Sequence, residues 1–304
     1  MRVSVLLSPT SGTRARPDAA AITEAFAEAD VEADVQTFGD KTPEGDPLAD
    51  LVRRAAEVSD VVVAGGGDGT VRAVAQALEG SDVPMGVLPL GTFNHFARGL
   101  GLPTDLAGVV QTIRHGEPQP VSAGRVDGRL FLNNVALGLA PDVVVRRRKS
   151  HGSRLRRVLV TAPVALGALL HMDRLHLDAD LDGHHVSYET PFVFASPNLY
   201  SPNLFQFGVL DRRTDGNLRF YVATPDGPLD VLRIGLRLLR DRFDRHLDTS
   251  IATRVELTAD EPHVRVLMDG DVSRLSSPLV IEGVDDAVRV IVPTETAPDE
   301  NAPG

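Results

Sequence analysis

Gly65-Gly66-Gly67-Asp68-Gly69-Thr70 is the stretch on which the reading of this sequence turns. Before it stands Val61-Val62-Val63-Ala64, a short, fully apolar run that reads as a buried strand. After it, Val71, Val74, Ala75 and Leu78 recur at helical spacing. The glycines therefore join a strand to a helix. A helix N-terminus presents unpaired N–H groups and a partial positive charge, which suits phosphate. Glycine lets the backbone approach such a ligand with no side chain in the way. The spacing is not Gly-x-Gly-x-x-Gly, because counting from Gly65 the last position is Thr70. A tight turn alone needs neither three successive glycines nor an acid among them, so nucleotide binding is expected.

Working outward, Arg2–Leu7 reads as a buried strand, residues 18–28 as a helix, 31–38 as a strand and 48–58 as a helix. Met85–Leu88 is again strand-like, and Leu106–Ile113 helical. Repeated strand–helix alternation implies a parallel sheet covered by helices. After about residue 120 the pattern changes. Strand-like runs now flank Asp127-Gly128, Asp182-Gly183, Asp215-Gly216, Asp226-Gly227 and Asp269-Gly270, and Asp-Gly between alternating runs is a strong hairpin signal. Two helical stretches, near 153–172 and 228–247, interrupt the strands. The expected architecture is an α/β nucleotide-binding domain over 1–121, an antiparallel, sandwich-like β-rich domain over 122–293, and a disordered tail over 294–304.

A second loop reinforces the first. Pro89-Leu90-Gly91-Thr92-Phe93-Asn94-His95-Phe96-Ala97 also follows a strand and enters a helical turn. In a parallel sheet, strand carboxyl ends share one rim, so both loops are expected to meet at one crevice. The plainer role for Thr92 or Asn94 is a helix cap. Together the two loops resemble the diacylglycerol kinase catalytic family, which includes bacterial soluble lipid kinases and is related to sphingosine and ceramide kinases. Ser8-Pro9-Thr10-Ser11-Gly12 is similar to the family's Asn-Pro-x-Ser-Gly. Phe131 to Gly138 is similar to its Asn-x-x-x-x-Gly strand, and Met268-Asp269-Gly270-Asp271 to its late Asp-Gly-Glu. The Gly-Gly-Asp-Gly-Thr element alone is shared with NAD kinases and phosphofructokinases; the Gly-Thr-x-Asn-x-Phe-Ala stretch separates lipid kinases from them.

The resemblance implies phosphoryl transfer from ATP with Mg²⁺ to a lipid hydroxyl. Carried over by position, Gly65, Gly66, Gly67, Asp68, Gly69, Thr70 and Val71 would hold the phosphates. Gly91, Thr92 and Asn94 would line the nucleotide site, with Thr42 near it. Asp271 takes the place of the catalytic base, and Asp68 that of the residue organising Mg²⁺. Three positions depart from the family. His95 stands where many members have Asp. Asp271 is one methylene shorter than Glu. The structural-metal segment, usually Asp-Asp-Gly-x-Leu, reads Thr214-Asp215-Gly216-Asn217-Leu218, leaving Asp215 as a candidate metal ligand short of one acid.

Other signals exclude or tempt. With 304 residues, 42% hydrophobic, the chain can build a core, and with 5% aromatics and no Trp that core is aliphatic. Cysteine is absent, so disulfides, thiolate zinc sites and cysteine nucleophiles are excluded. Lys41 and Lys149 are the only lysines, and neither sits in a glycine-rich turn, which excludes a Gly-x-x-x-x-Gly-Lys loop. A net charge of −11 argues against nucleic acid as a partner. The longest uncharged apolar run, Val158–Leu170, has 13 residues, short of the roughly 20 needed to span a bilayer. The N-terminus does not read as a signal peptide, so a cytoplasmic protein is expected. Asp178 to Glu189 fits a calcium-loop pattern, yet its flanks alternate, so a hairpin turning at Asp182-Gly183 is expected instead. Arg146 to Arg157 places seven cations in twelve residues with no acid. Beside the apolar residues that follow, this implies peripheral contact with anionic lipid at the inner membrane face. The alternatives are a solvated helix face, or arginines gripping ATP or a partner subunit; a homodimer stays open. Two rival functions also stand: an NAD-kinase-like enzyme on a soluble acceptor, and a nucleotide-binding protein whose catalysis has decayed.

Overall fold

Five of the six residues of Arg2–Leu7 are buried, and this run forms the first strand, β1. The structure, a computed structural model, describes residues 1–9, 17–39, 47–138, 175–200, 210–212, 215–224 and 247–294. Thr42, Thr10-Ser11-Gly12, the basic stretch 146–157, the helical stretches expected at 153–172 and over nearly all of 228–247, and the tail from 295 lie outside these residues. The chain forms two compact units, Met1–Val121 with the stretch that returns from Ala287, and Ser122–Asp286.

In the first unit, α1 (Ala19–Glu28) starts where Asp18 accepts the N–H of Ala21 at 2.8 Å. That satisfies one of the orphan donors of the first turn. Ile22 and Phe26, four residues apart, point to one face and are fully buried. Such burial stabilises by roughly 1.5–3 kcal/mol per side chain. Strand β2 (Glu32–Thr37) follows, then α2 (Pro47–Val58), whose proline stands at the first helical position, where no N–H is needed. Next come β3 (Val61–Gly66), α3 (Asp68–Ala77), β4 (Met85–Pro89), α4 (His95–Gly99) and α5 (Leu106–His115), the last capped by Asp105. The strands run parallel in the order β2-β1-β3-β4. Val5, Phe26, Val63, Leu88 and Ile113 share one core cluster. This is the α/β layer that the sequence leads one to expect.

The chain then leaves through β5 (Glu117–Val126). The second unit continues with β6 (Arg129–Phe131), β7 (Val135–Gly138), β8 (Leu175–Leu181), β9 (His184–Thr190), β10 (Phe192–Ser196), β11 (Asn198–Tyr200) and β12 (Leu210–Arg212). After these come β13 (Leu218–Ala223), β14 (Leu247–Ala252), β15 (Arg254–Ala259), β16 (His263–Met268), β17 (Asp271–Ser276) and β18 (Leu279–Val292). One antiparallel sheet has the order β14-β13-β10-β7-β16-β17. A second antiparallel set pairs the first residues of β18 with β15, β15 with β8, and β8 with β9. Leu137, Val193, Phe220 and Val266 from the first set share one core with Leu177, Val255, Leu257 and Ile281 from the second. That is the packing of a sandwich. Asp127-Gly128, Asp182-Gly183 and Asp269-Gly270 each have positive φ at both residues and each turns a hairpin, as type I′ turns require. The β8–β9 hairpin replaces any calcium loop at Asp178–Glu189. The last residues of β18 belong to the first unit, where Val290 pairs in parallel with Met85 of β4.

No helix among the described residues is long and apolar enough to cross a membrane.

Candidate functional site

In the first unit, β1 has β2 on one side and β3 on the other, so the strand order reverses there. Ligands of open α/β sheets bind outside the carboxyl ends of strands at such a switch. The N–H of Ser8, just past β1, donates to the carbonyl of Gly65 at 2.9 Å. The N–H of Leu90, just past β4, donates to the carbonyl of Gly66 at 2.9 Å. Three strand ends thus converge on the triple glycine.

The two loops touch backbone to backbone. A Cβ on Gly91 would lie 2.6 Å from Cα of Gly67 and 2.7 Å from Oδ1 of Asn94, so no side chain fits there. Gly67 occupies the N-cap of α3 and supplies no side chain to cap it. Its carbonyl takes the N–H groups of Thr70 and Val71. The first-turn N–H groups of Asp68 and Gly69 are therefore the ones available to an anion.

Asn94 does something other than cap. It sits at the N-cap of α4 with φ 51 and makes no capping bond. Its Oδ1 accepts the N–H of Gly91 at 2.9 Å. Its amide donates to the carbonyls of Pro89 and Gly91, both at 3.1 Å. The whole side chain is spent on shaping the loop. The donor group at the start of α4 goes instead to Asp68, whose Oδ1 accepts the N–H of Phe96 at 3.0 Å. His95 stacks on the half-exposed ring of Phe93 at 5.3 Å and 7°. Burial lowers the His95 pKa from its ordinary value; the Asp68 charge opposes this and Arg98 adds to it.

In the second unit, Asp271 opens β17 opposite Met268, immediately after the Asp269-Gly270 turn. Asp269, read from the sequence only as part of a hairpin turn and of the Asp-Gly-Asp stretch, has a further role. Its carboxylate accepts three successive backbone N–H groups, from Leu132 at 2.7 Å, Asn133 at 2.9 Å and Asn134 at 3.0 Å. The three carbonyls of the same stretch are also taken. Leu132 receives the Asn198 amide at 2.9 Å, Asn133 the Ser196 hydroxyl at 2.7 Å, and Asn134 the N–H of Asp269 at 3.0 Å. Only long-range pairing could have revealed this. Asp215 precedes β13, and its Oδ2 accepts Nη2 of Arg219 at 3.0 Å.

Metal fit differs at the two candidate acids. Among the described residues no three His, Cys, Asp or Glu side chains cluster to cage an ion. Mg²⁺ that travels with a nucleotide needs only one or two carboxylates beside the phosphates, and Asp68 in the glycine loop suits that. At Asp215 the charge of the carboxylate is already met by a guanidinium, which weakens its claim on a metal.

This geometry is that of an open α/β unit with two glycine loops packed together at its strand-order reversal. Residues 2–126 match the model of the diacylglycerol kinase catalytic domain. A probable lipid kinase, YegS-like, of Klebsiella pneumoniae is 36% identical over 39% of this chain and 40% of its own length. The diacylglycerol kinase of Bacillus subtilis is 32% identical over 43% of this chain and 44% of its own. The matched stretch thus spans less than half of either relative. Over the whole chain the likeness is one of fold. A crystal structure from Bacillus anthracis, provisionally described as a diacylglycerol kinase, has a TM-score of 0.72 at 18% identity, covering 97% of this chain and 98% of that one. Yeast NADH kinase, solved with NADH, is a more distant neighbour, with a TM-score of 0.53 at 13% identity over 97% of this chain and 84% of its own.

Proposed function

We propose that this chain is a lipid kinase that transfers the γ-phosphoryl group of ATP to a lipid hydroxyl. The observation that carries the proposal is the pair of backbone-packed glycine loops at the strand-order reversal, inside the stretch matching the diacylglycerol kinase domain. The open N–H groups at the start of α3 would hold the phosphates. Asp68 would hold Mg²⁺ that arrives with ATP, and that ion would supply charge neutralisation on the phosphoryl oxygens. Asp271 would take the proton of the lipid hydroxyl as its oxygen bonds to phosphorus. The bond from the γ-phosphorus to the bridging oxygen breaks and ADP leaves. The basic stretch 146–157 would draw the enzyme to an anionic bilayer, where its acceptor resides.

The test is transfer of ³²P from labelled ATP with Mg²⁺ to dispersed diacylglycerol, monoacylglycerol, sphingosine, ceramide, phosphatidylglycerol and undecaprenol. NAD and NADH are included because the fold is shared with yeast NADH kinase. A labelled lipid that is lost with Asp271→Ala supports the proposal and names the acceptor. Label in the dinucleotides alone replaces it with the second reading. No transfer to any acceptor rejects a kinase acting on these classes.

A further inference from the structure

We infer that Arg219 supplies, from within the chain, the positive charge that a structural metal ion would bring to Asp215, so that the turn into β13 is held without metal. This does not depend on what the chain phosphorylates.

Both oxygens of Asp215 are engaged. Oδ1 accepts the N–H of Asn217 at 3.1 Å, and Oδ2 accepts Nη2 of Arg219 at 3.0 Å. The Asp215 side chain is 37% exposed, but that of Arg219 is only 6% exposed. Arg219 lies within β13, whose six residues are all buried, between Ser196 on one side and Ile251 on the other. Its Nε and Nη1 are buried with no hydrogen-bond partner. Asp215 is therefore the one carboxylate paired with this buried cation among the described residues.

That makes the pairing mutual. A guanidinium has five donors, no acceptor and a permanent charge, so it cannot itself ligate Mg²⁺ and repels a second cation brought to the same carboxylate. An ion brought to Asp215 would compete with Arg219 for the charge of one carboxylate, and any displacement of Arg219 would leave a buried charge unpaired. Magnesium also needs near-octahedral oxygen ligands, and among the described residues no three His, Cys, Asp or Glu side chains cluster here. The position before Asp215 is Thr214 rather than an acid. The other carboxylate by this turn, Asp285, faces Gly216. Its Oδ1 is occupied by the Ser122 hydroxyl at 3.0 Å and the Asp286 N–H at 2.9 Å. Hydrogen bonds complete the picture at Asp215. Burial pushes its carboxyl up, and the bonds from Asn217 and Arg219 outweigh that, holding it below its ordinary value.

The experiment is thermal unfolding of the full chain without nucleotide, in EDTA and in millimolar Mg²⁺ at matched ionic strength. The expected midpoints agree to within about 1 °C. Asp215→Asn should lower the midpoint by about 5 °C in both conditions, because Arg219 loses its counter-charge. Adding Arg219→Met to that variant should recover most of the loss, since a neutral side chain no longer needs the carboxylate. A Mg²⁺-dependent rise in the wild-type chain that vanishes in Asp215→Asn overturns the inference. A rise of equal size in both assigns the ion to a place without Asp215 and agrees with it. If Asp215→Asn does not fold, the double variant Asp215→Asn with Arg219→Met takes its place: a Mg²⁺ rise in the wild-type chain that is missing in the double variant overturns the inference, and a rise in both or in neither agrees with it.

Discussion

The Asp68 carboxylate accepts the backbone N–H of Phe96 at 3.0 Å, across 28 residues of sequence. One acid at the start of α3 thereby fixes the start of α4, and both helices begin at the glycine loops. Charge and scaffold are combined in a single side chain, and they can be separated. Asp68→Asn keeps an amide oxygen for Phe96 but loses the charge. Its unfolding midpoint should stay close to that of the parent, while turnover with ATP and Mg²⁺ falls by at least about 100-fold. Asp68→Ala should lose both. Unfolding curves and initial rates on the two variants check this.

Asn94 makes three side-chain hydrogen bonds to its own loop from a left-handed backbone. Asn94→Ala removes the bonds and leaves a Cβ at positive φ, which should cost about 2–4 kcal/mol in urea unfolding. ATP affinity should drop with it. Asn94→Gly keeps the backbone freedom and should recover part of the stability but not the affinity, as titration calorimetry with ATP would show.

Asp269 satisfies four of the six backbone groups at Leu132–Asn134, and Asn198 and Ser196 take the other two. Asp269→Ala leaves three N–H groups without their acceptor and should destabilise the chain by about 3–5 kcal/mol. Hydrogen exchange should accelerate first at the amides of residues 132–134. Protection there unchanged from the parent would show that water replaces the carboxylate without loss.

His95 carries a pH signature. Its pKa in the folded chain lies below the ordinary 6.5, so the unfolded chain binds the proton more readily. Stability from this group is complete above about pH 6.5 and is lost as pH falls through the folded value. Unfolding midpoints measured down this range should fall less steeply in His95→Asn than in the parent. Parallel slopes in the two chains would rule out His95 as the cause.

How far the sequence could be read depends on how far apart the interacting residues lie. The Gly65–Thr70 turn is legible because apolar spacing changes from continuous to helical across it. The hairpins at Asp127, Asp182 and Asp269 are legible because Asp-Gly accepts positive φ at both positions. Asn94 misleads for a related reason: an Asn before a helix normally caps it, but φ 51 swings this one back onto Pro89 and Gly91. The role of Asp269 is hidden because its partners lie 135 to 137 residues away. Arg219 sits in an otherwise apolar strand, and nothing local says that Asp215 would neutralise it. The return of β18 is hidden too, because Val288 to Val292 reads as the same buried strand whichever neighbour it meets.

That return has a consequence for biosynthesis. Val290 lies opposite Met85 in the first unit, and Ile291 joins the core built by Val5, Phe26 and Val63. On a ribosome, residues 1–121 emerge long before residue 290. Until then the first unit lacks its closing strand, and the outer edge of β4 is a bare template for foreign pairing. Cutting the chain after Val121 would make that waiting state permanent. The first unit is thus the first to be synthesised and the last to be completed, and a peptide spanning β18, added in trans, is the piece such a fragment would need.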